Sequence, residues 1–420
     1  MSAARATVGG MPPRRGLFSR RPDGVVVEAG ARYGFEYLPA HSVYLDSACQ
    51  TLRPRPVIDA LNDYYLTYNA CGGRVKYEWG RKVDEQVEQT RGAVLTALGL
   101  SPRRYATSFT LNTTYALNLL LQQLPAGRYR RVITTHTEHN SVFLSTMTFA
   151  RRASIERLLL ERDEDGSLVY RDADLADALV VVSAMNNVNG ASPAGLAQLI
   201  ADVQRRGGTI ILDAAQGVPH ALSTLRGLRP DALCFSAHKV YGASLGVVAA
   251  TTELLESLEL SFIGGGQVAH VTASDFELLP EMHTRLEAGL QPWGEIIALG
   301  AALQWLDHYE KGAGEGHEAR EERLSQALFD GLAPLPGLTV LSPRGSSLVS
   351  VLPDRVDGHR LATFLSRAGV MVRSGYFCAH HWLKELKGYP PLVRFSLGAH
   401  NTDEDVERAL AVTGRLIKGL

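Results

Sequence analysis

Ala232-Leu233-Cys234-Phe235-Ser236-Ala237-His238-Lys239-Val240-Tyr241-Gly242 (232–242) runs from apolar residues almost directly into a lysine. The apolar part shows no polar alternation, the pattern of a strand covered on both faces. Four further runs share that texture: RVITT (131–135), ALVVVSA (178–184), TIILDAA (209–215) and GVVAAT (246–251). Helical patterns lie among them. Val87, Val94, Leu95 and Leu98 share one helical face that Arg91 interrupts; Leu196, Leu199, Ile200 and Val203 share another that Gly207-Gly208 ends. Covered strands interleaved with helices predict an α/β fold built on a large, mostly parallel sheet. Ligands in such sheets sit beyond the carboxyl ends of the strands, so the polar residues after each run (136–140, 186–189, 213–216, 236–239) should converge on one crevice. After about residue 330 the runs LTVLSP, SLVSVLP, VMVRSG and VRFSLGAH alternate with helical stretches near 358–368 and 403–418. That α+β texture predicts a small C-terminal domain folding back over the crevice. The expected division is a tail over 1–40, a large domain over 41–300 and a small domain over 301–420, with the N-terminal segment free to pack on the last.

At the end of a covered strand the amine of Lys239 loses water, which lowers its pKa and leaves it able to form an imine. A lone lysine in that place is ordinarily a surface cap. Asp213 changes the balance. It closes Ile210-Ile211-Leu212-Asp213, where an unpaired carboxylate is costly, although by itself it reads better as a helix cap. One ligand suits both groups: pyridoxal phosphate (PLP) offers an aldehyde to the lysine and a ring nitrogen to the acid. Its phosphate needs donors at a helix start. Asn112-Thr113-Thr114, before the helical run 116–120, supplies amides and hydroxyls, and Ser236 and His238 can close the same site; as a helix cap alone the segment is equally ordinary. His139, in Thr137-Glu138-His139-Asn140, is placed to stack on a planar ring or move protons beside it. Asn187 and Gln216 suit a phenolic oxygen.

The order of motifs resembles the class V aminotransferase superfamily of fold-type I PLP enzymes, and most closely its SUF-type cysteine desulfurases and selenocysteine lyases. The matching pieces are Tyr44-Leu45-Asp46-Ser47-Ala48, Asn112-Thr113-Thr114, Thr137-Glu138-His139, Asn187-Val188-Asn189-Gly190, Asp213-Ala214-Ala215-Gln216, Ser236-Ala237-His238-Lys239, Glu287-Ala288-Gly289, Arg373-Ser374-Gly375-Tyr376-Phe377-Cys378-Ala379 and Val393-Arg394-Phe395-Ser396. The resemblance implies a PLP-dependent transferase fold with Lys239 as the Schiff-base lysine and Asp213 as partner of the pyridine nitrogen. It implies Gln216 and Asn187 on the phenolic oxygen, Thr113, Thr114, Ser236 and His238 on phosphate, and His139 on the ring. It implies Arg394 on the substrate carboxylate, with Asn187 beside it, Cys378 as the sulfur nucleophile, and a homodimer.

Residue chemistry supports the last pair independently. A planar guanidinium clamps an α-carboxylate with two parallel hydrogen bonds, and Arg394 stands in an apolar strand that needs an anionic partner; an interior salt bridge is the plainer explanation. Gly375 permits a tight turn that presents Cys378, and Arg373 or His380 nearby would favour its thiolate. The expected activity is conversion of L-cysteine to L-alanine with a persulfide on Cys378. The alternatives are an aminotransferase, epimerase or selenocysteine lyase of the same superfamily with Cys378 inessential, or a silent PLP-fold binding protein. Three departures stand out: Leu290 follows Glu287-Ala288-Gly289 where the pattern has a threonine, Tyr376-Phe377 replaces a histidine pair before the cysteine, and His380-His381-Trp382 follows it.

Composition bounds the rest. A 45 % apolar and 21 % charged chain of 420 residues is ordinary for a protein with a buried core, and a net charge of -1 argues against nucleic acid or an anionic membrane as main partner. No apolar run approaches a bilayer span. Four scattered cysteines without a CxxC fit a reducing cytoplasm, and the 13 histidines show no metal-ligand spacing, so no metal is expected. The Arg-rich first 22 residues lack the apolar core of a secretory signal and are expected to be a tail, with a transit peptide as the alternative. The partners expected are an amino acid substrate and a sulfur-acceptor protein.

Overall fold

Each continuous apolar run becomes a strand with both faces covered. The computed structural model describes residues 33–419 apart from 40, 74, 164–165 and 313–314. Strand β1 (Val43–Leu45) comes first. Strands β2 (Tyr105–Thr110), β3 (Arg131–Thr135), β4 (Glu156–Arg162), β5 (Leu168–Val169), β6 (Ala178–Ser183), β7 (Thr209–Asp213), β8 (Ala232–Ser236) and β9 (Gly246–Thr251) form one sheet in the order β2-β9-β8-β7-β6-β3-β4-β5. The run β4-β3-β6-β7-β8 is parallel throughout; β9 is antiparallel to both β8 and β2, and β5 to β4. Alternate side chains of β6 enter two different apolar clusters, Val180 and Val182 on one face, Leu179 and Val181 on the other. Each such side chain contributes about 1.5–3 kcal/mol by leaving water, so a polar residue on either face would be costly.

The remaining strands are a hairpin, β10 (Val268–Val271) with β11 (Phe276–Leu278), and β12 (Leu338–Val340), β13 (Leu348–Pro353), β14 (Val370–Gly375) and β15 (Leu392–Ser396). With β1 the last four make a five-stranded sheet ordered β1-β14-β15-β13-β12, flanked by helices Gly358–Arg367 and Asp403–Lys418. The N-terminal segment, left free to pack on the small domain, does so: β1 pairs in parallel with β14, Val43 opposite Val370. Helix Trp293–Gly312 crosses the division expected at 300, and its Ile296, Leu299, Trp305 and Tyr309 pack into the large sheet's core. Residues 1–32 of the expected tail lie outside the described residues. The tail does not extend to 40, because Phe35 is buried edge-on to Trp305, 5.5 Å between ring centroids. Among the described residues no helix is long and apolar enough to cross a membrane.

Helices fix what the strand ends present. Helix α1 (Arg55–Thr67) and helix α2 (Glu78–Leu98) pack on Trp293–Gly312, and the arginine that broke the apolar face of α2, Arg91, is buried in a two-pronged bond to Glu287 at 2.6 and 2.7 Å. Helix α3 (Thr113–Gln123) follows β2, α4 (Asn140–Ala153) follows β3, and α5 (Leu196–Arg205) lies between β6 and β7. Both α3 and α4 therefore start at the edge of the crevice.

Candidate active site

A cavity of about 490 Å³ lies at the carboxyl ends of β6, β7 and β8. Lys239, Asp213, His139, Asn187, Gln216, Thr113, Thr114, Ser236, His238, Arg394 and Cys378 all line it. Parallel pairing sets the lateral order, with Asp213 level with Ser183 on one side and Cys234 on the other. Lys239 sits in the single turn that follows β8. Its amine makes no hydrogen bond or close ion pair among the described residues, and burial holds its pKa below the ordinary lysine value, against the pull of Asp213. An unprotonated amine is therefore within reach.

Asp213 is buried, accepts the Ala215 N–H at 2.9 Å, and faces the Ser141 hydroxyl at 3.3 Å. Burial raises its pKa, while Ala215, Lys239 and Ser141 oppose the rise. His139 caps α4: its Nδ1 accepts the Ser141 N–H at 3.1 Å and lies 2.7 Å from the Ser141 hydroxyl. Burial, then Lys239 and Arg394, push its pKa down to about 3, so its ring is neutral at pH 7. Ser141 thus touches both groups expected to meet a cofactor ring.

On the far wall Asn112 caps α3 by accepting the Tyr115 N–H at 2.9 Å. The Thr113 N–H donates to Ser236 Oγ at 3.0 Å, and the two hydroxyls lie 2.7 Å apart, which ties the helix start to the end of β8. Gly246 makes this possible, since a Cβ there would strike Thr110 and the Asn112 backbone. His238 is held neutral, its pKa lowered to about 4 by burial and by Lys239 and Arg53. A helix N-terminus with two threonines, a serine and a neutral histidine is a cradle for a phosphate.

The mouth belongs to the smaller sheet. Arg394 is buried; its Nη1 donates to the Asn187 carbonyl at 2.6 Å, its Nη2 lies 3.5 Å from Asp46, and its guanidinium lies 4.8 Å from the Phe377 ring centre. The interior salt bridge therefore exists, but it is long and leaves Arg394 Nε without a partner among the described residues. Arg373 approaches the same carboxylate at 3.8 Å. Gln216 donates from Nε2 to the Ala48 carbonyl at 2.8 Å and leaves a buried Oε1 unpartnered among the described residues. Asn187, which also lines the cavity, donates one side-chain N–H to the Phe377 carbonyl, 2.6 Å away. Phe377 and Cys378 adopt φ of +47° and +57°, a region costing non-glycine residues about 1–3 kcal/mol each, and this contact is one that holds them there. The Cys378 carbonyl is held by the Asn140 N–H at 2.6 Å, and Cys378 itself is exposed.

These residues fit PLP: a buried carboxylate with no ion-pair partner and an amine with no hydrogen bond among the described residues, together with an anion cradle, line one cavity of suitable size. Sequence reasoning missed Ser141, Cys49 and Met185, which also line the cavity, and gave Asp46 no role. Only Asp46 carried a signal, within the Tyr44-Leu45-Asp46 block. Leu290 is 78 % exposed and is not among the lining residues.

A large mostly parallel sheet with a lysine and an acid at adjacent strand ends, roofed by a small α+β sheet, is the fold-type I PLP-dependent transferase architecture. The chain belongs to the class-V aminotransferase family, whose model matches residues 43–409. It is 32 % identical to a probable cysteine desulfurase of Pseudomonas putida over 88 % of this chain and 92 % of that one. Its structure superposes on the apo cysteine desulfurase of Thermococcus onnurineus with a TM-score of 0.81 at 29 % identity, covering 90 % and 95 % of the two chains. The cysteine desulfurase CsdA of Escherichia coli gives 0.81 at 27 % identity, covering 93 % and 98 %.

Proposed function

We propose that this protein is a PLP-dependent cysteine desulfurase that converts L-cysteine to L-alanine and collects the sulfur on Cys378. The observation that carries the proposal is one cavity holding three groups: the Lys239 amine, the Arg394 guanidinium and the Cys378 loop. Bound there, PLP supplies an electron sink that acidifies the substrate's α-proton. Asp213 would hold its ring nitrogen, His139 its face, Gln216 and Asn187 its phenolic oxygen, and Thr113, Thr114, Ser236 and His238 its phosphate. Arg394 receives the substrate carboxylate, with Asp46 yielding part of its hold. Lys239, poised to be neutral, takes the α-proton. The Cys378 thiolate attacks the substrate sulfur: an S–S bond forms, the Cβ–S bond breaks, and its electron pair stays on the carbon that becomes the alanine methyl group. Holding nucleophile and sulfur together supplies several kcal/mol of about 7–11 available from proximity. Cys378 is exposed, which leaves the persulfide open to a sulfur-acceptor protein.

The reading extends to a homodimer in a reducing cytoplasm. Phe262, Ile263, Val271 and Leu290 are exposed around the β10–β11 hairpin, an apolar surface that a second copy would cover. Incubating the purified protein with a panel of amino acids tests the activity. Alanine plus sulfide from cysteine is expected. A keto acid or inverted enantiomer from another amino acid, with no alanine from cysteine, overturns the reading.

A further inference from the structure

The motif that the proposed reaction leaves unused is His380-His381-Trp382, one residue beyond the nucleophile's neighbour Ala379. His381 opens a single π-helical turn, His381–Leu386, and its side chain leaves the small sheet to meet the large one. Its Nε2 lies 3.1 Å from Nδ1 of His136, the residue after β3, and the two ring planes are 22° apart. His136 Nε2 lies 3.2 Å from a carboxylate oxygen of Glu161 on β4. One of the two facing ring nitrogens donates and the other accepts, so a ring without nitrogen at position 381 cannot make this bond. Burial, together with His136 and Arg157, holds His381 below its ordinary pKa, in keeping with a neutral ring. The Phe143 ring stacks on His381 at 4.5 Å, and Asn140 Nδ2 lies 3.2 Å from His380 Nδ1.

These contacts bracket Cys378 on its C-terminal side, while Asn187 and Asn140 grip the Phe377 and Cys378 carbonyls. Two consecutive left-handed residues do not hold themselves, so the nucleophile's direction depends on what grips the segment around it. We propose that His136 and His381 are positioning residues for sulfur capture, clamping the Cys378 loop to the ends of β3 and β4 so that the thiol meets the substrate sulfur. The proposal rests on the desulfurase reading for its chemistry, not for its geometry. The clamp acts only on the capture step. Proton abstraction by Lys239, on the opposite wall, does not involve it.

H381F keeps a ring against Phe143 and removes the hydrogen-bonding nitrogen; H381Q restores an amide, able to donate or accept, near the Nε2 position. Both are assayed as PLP-loaded full-length protein. Three measurements are made: alanine from cysteine, α-deuteration of L-alanine in D2O, and backbone hydrogen exchange over residues 376–383. H381F should lower kcat for alanine formation about tenfold or more while KM and the deuteration rate stay within about twofold, because misplacing a reacting atom costs rate and not binding. Exchange over 376–383 should rise, and H381Q should recover most of the lost kcat. The clamp is wrong if H381F matches wild type in kcat, if deuteration falls in parallel with alanine formation, or if H381Q is no better than H381F. If wild type itself makes no alanine from cysteine, the desulfurase reading fails, and hydrogen exchange with the rate of Cys378 alkylation by iodoacetamide still decides the clamp. Unchanged values in H381F then overturn it.

Discussion

Lys239 and Cys378 face the same cavity, yet the chain holds them by opposite means. Lys239 follows a strand whose neighbours on both sides are strands, and its turn is closed by backbone hydrogen bonds from Val240 and Gly242 to Ala237 at 2.8 and 2.9 Å. Cys378 follows β14 in a left-handed segment whose carbonyls are held by Asn140 at the start of α4 and Asn187 after β6. On the proposed reading, the first arrangement suits an amine that must lose water to take a proton, and the second suits a thiol that must stay exposed to hand sulfur on.

The strongest way to break that comparison is to remove each group in turn. Lys239→Ala should lower alanine formation from cysteine by on the order of 10³-fold and abolish visible cofactor absorbance. Cys378→Ala should lower alanine formation as far, yet keep the absorbance and the α-deuteration of L-alanine. If Cys378→Ala also lost the absorbance, or still made alanine at the wild-type rate, the two walls would not be separable. Next in size is the clamp between them. Arg394→Lys replaces a planar fork with a point charge, and losing one charged hydrogen bond of about 2 kcal/mol predicts a drop in kcat/KM for cysteine of roughly thirtyfold. Most of it should appear in KM, since the carboxylate is held before and during the reaction alike. Steady-state kinetics with cysteine reads the split.

A third test concerns burial itself. His139 has a pKa of about 3 in the fold against 6.5 ordinarily. Between those values the unfolded chain binds a proton that the folded one does not. The stability tied to the neutral ring is therefore complete above about pH 6.5 and drains away as the pH falls towards 3. Between pH 7 and pH 5 the wild type should lose about 2 kcal/mol more than His139→Gln in urea unfolding, a difference that cancels contributions from His238 and other groups common to both. Equal losses would mean that His139 is not held neutral by burial.

How much of this was legible in the sequence follows the same division. Lys239 and Asp213 stand out because a charge at the end of an uninterrupted apolar run contradicts its surroundings, and a contradiction is visible in one dimension. The helix start at Asn112 was visible for a related reason, since caps are local, whereas the cap that His139 makes on α4 was not read from the sequence. β2 and β4 escaped because YATSFT is half polar and ERLLLER has charged ends; tertiary covering of the middle residues, not pattern, makes them strands. Arg394 and Cys378 needed the family pattern. Asp46 is 348 positions from the Arg394 it meets, and His136 is 245 from His381. No spacing rule reaches that far.

Ser141 is the extreme case of an illegible residue, and it gives the smallest effect and the finest test. Its amide N–H already commits His139 Nδ1 to accepting, yet its single hydroxyl proton faces two acceptors, that same Nδ1 at 2.7 Å and Asp213 Oδ2 at 3.3 Å. The shorter contact takes most of the proton, so Asp213 keeps an oxygen only weakly engaged and open to a ring N–H. In Ser141→Ala, His139 retains the backbone donor and Asp213 retains the Ala215 N–H, which limits the cost to about 1 kcal/mol, a fewfold change in kcat. The sharper readout is pH. The Ser141 hydroxyl opposes the burial that raises the Asp213 pKa, so removing it moves that pKa further up. Asp213 must be ionised to pair with a pyridinium, so the acid limb of the kcat profile should shift to higher pH in Ser141→Ala. A limb that stays in place or moves to lower pH would show that the hydroxyl serves His139 alone.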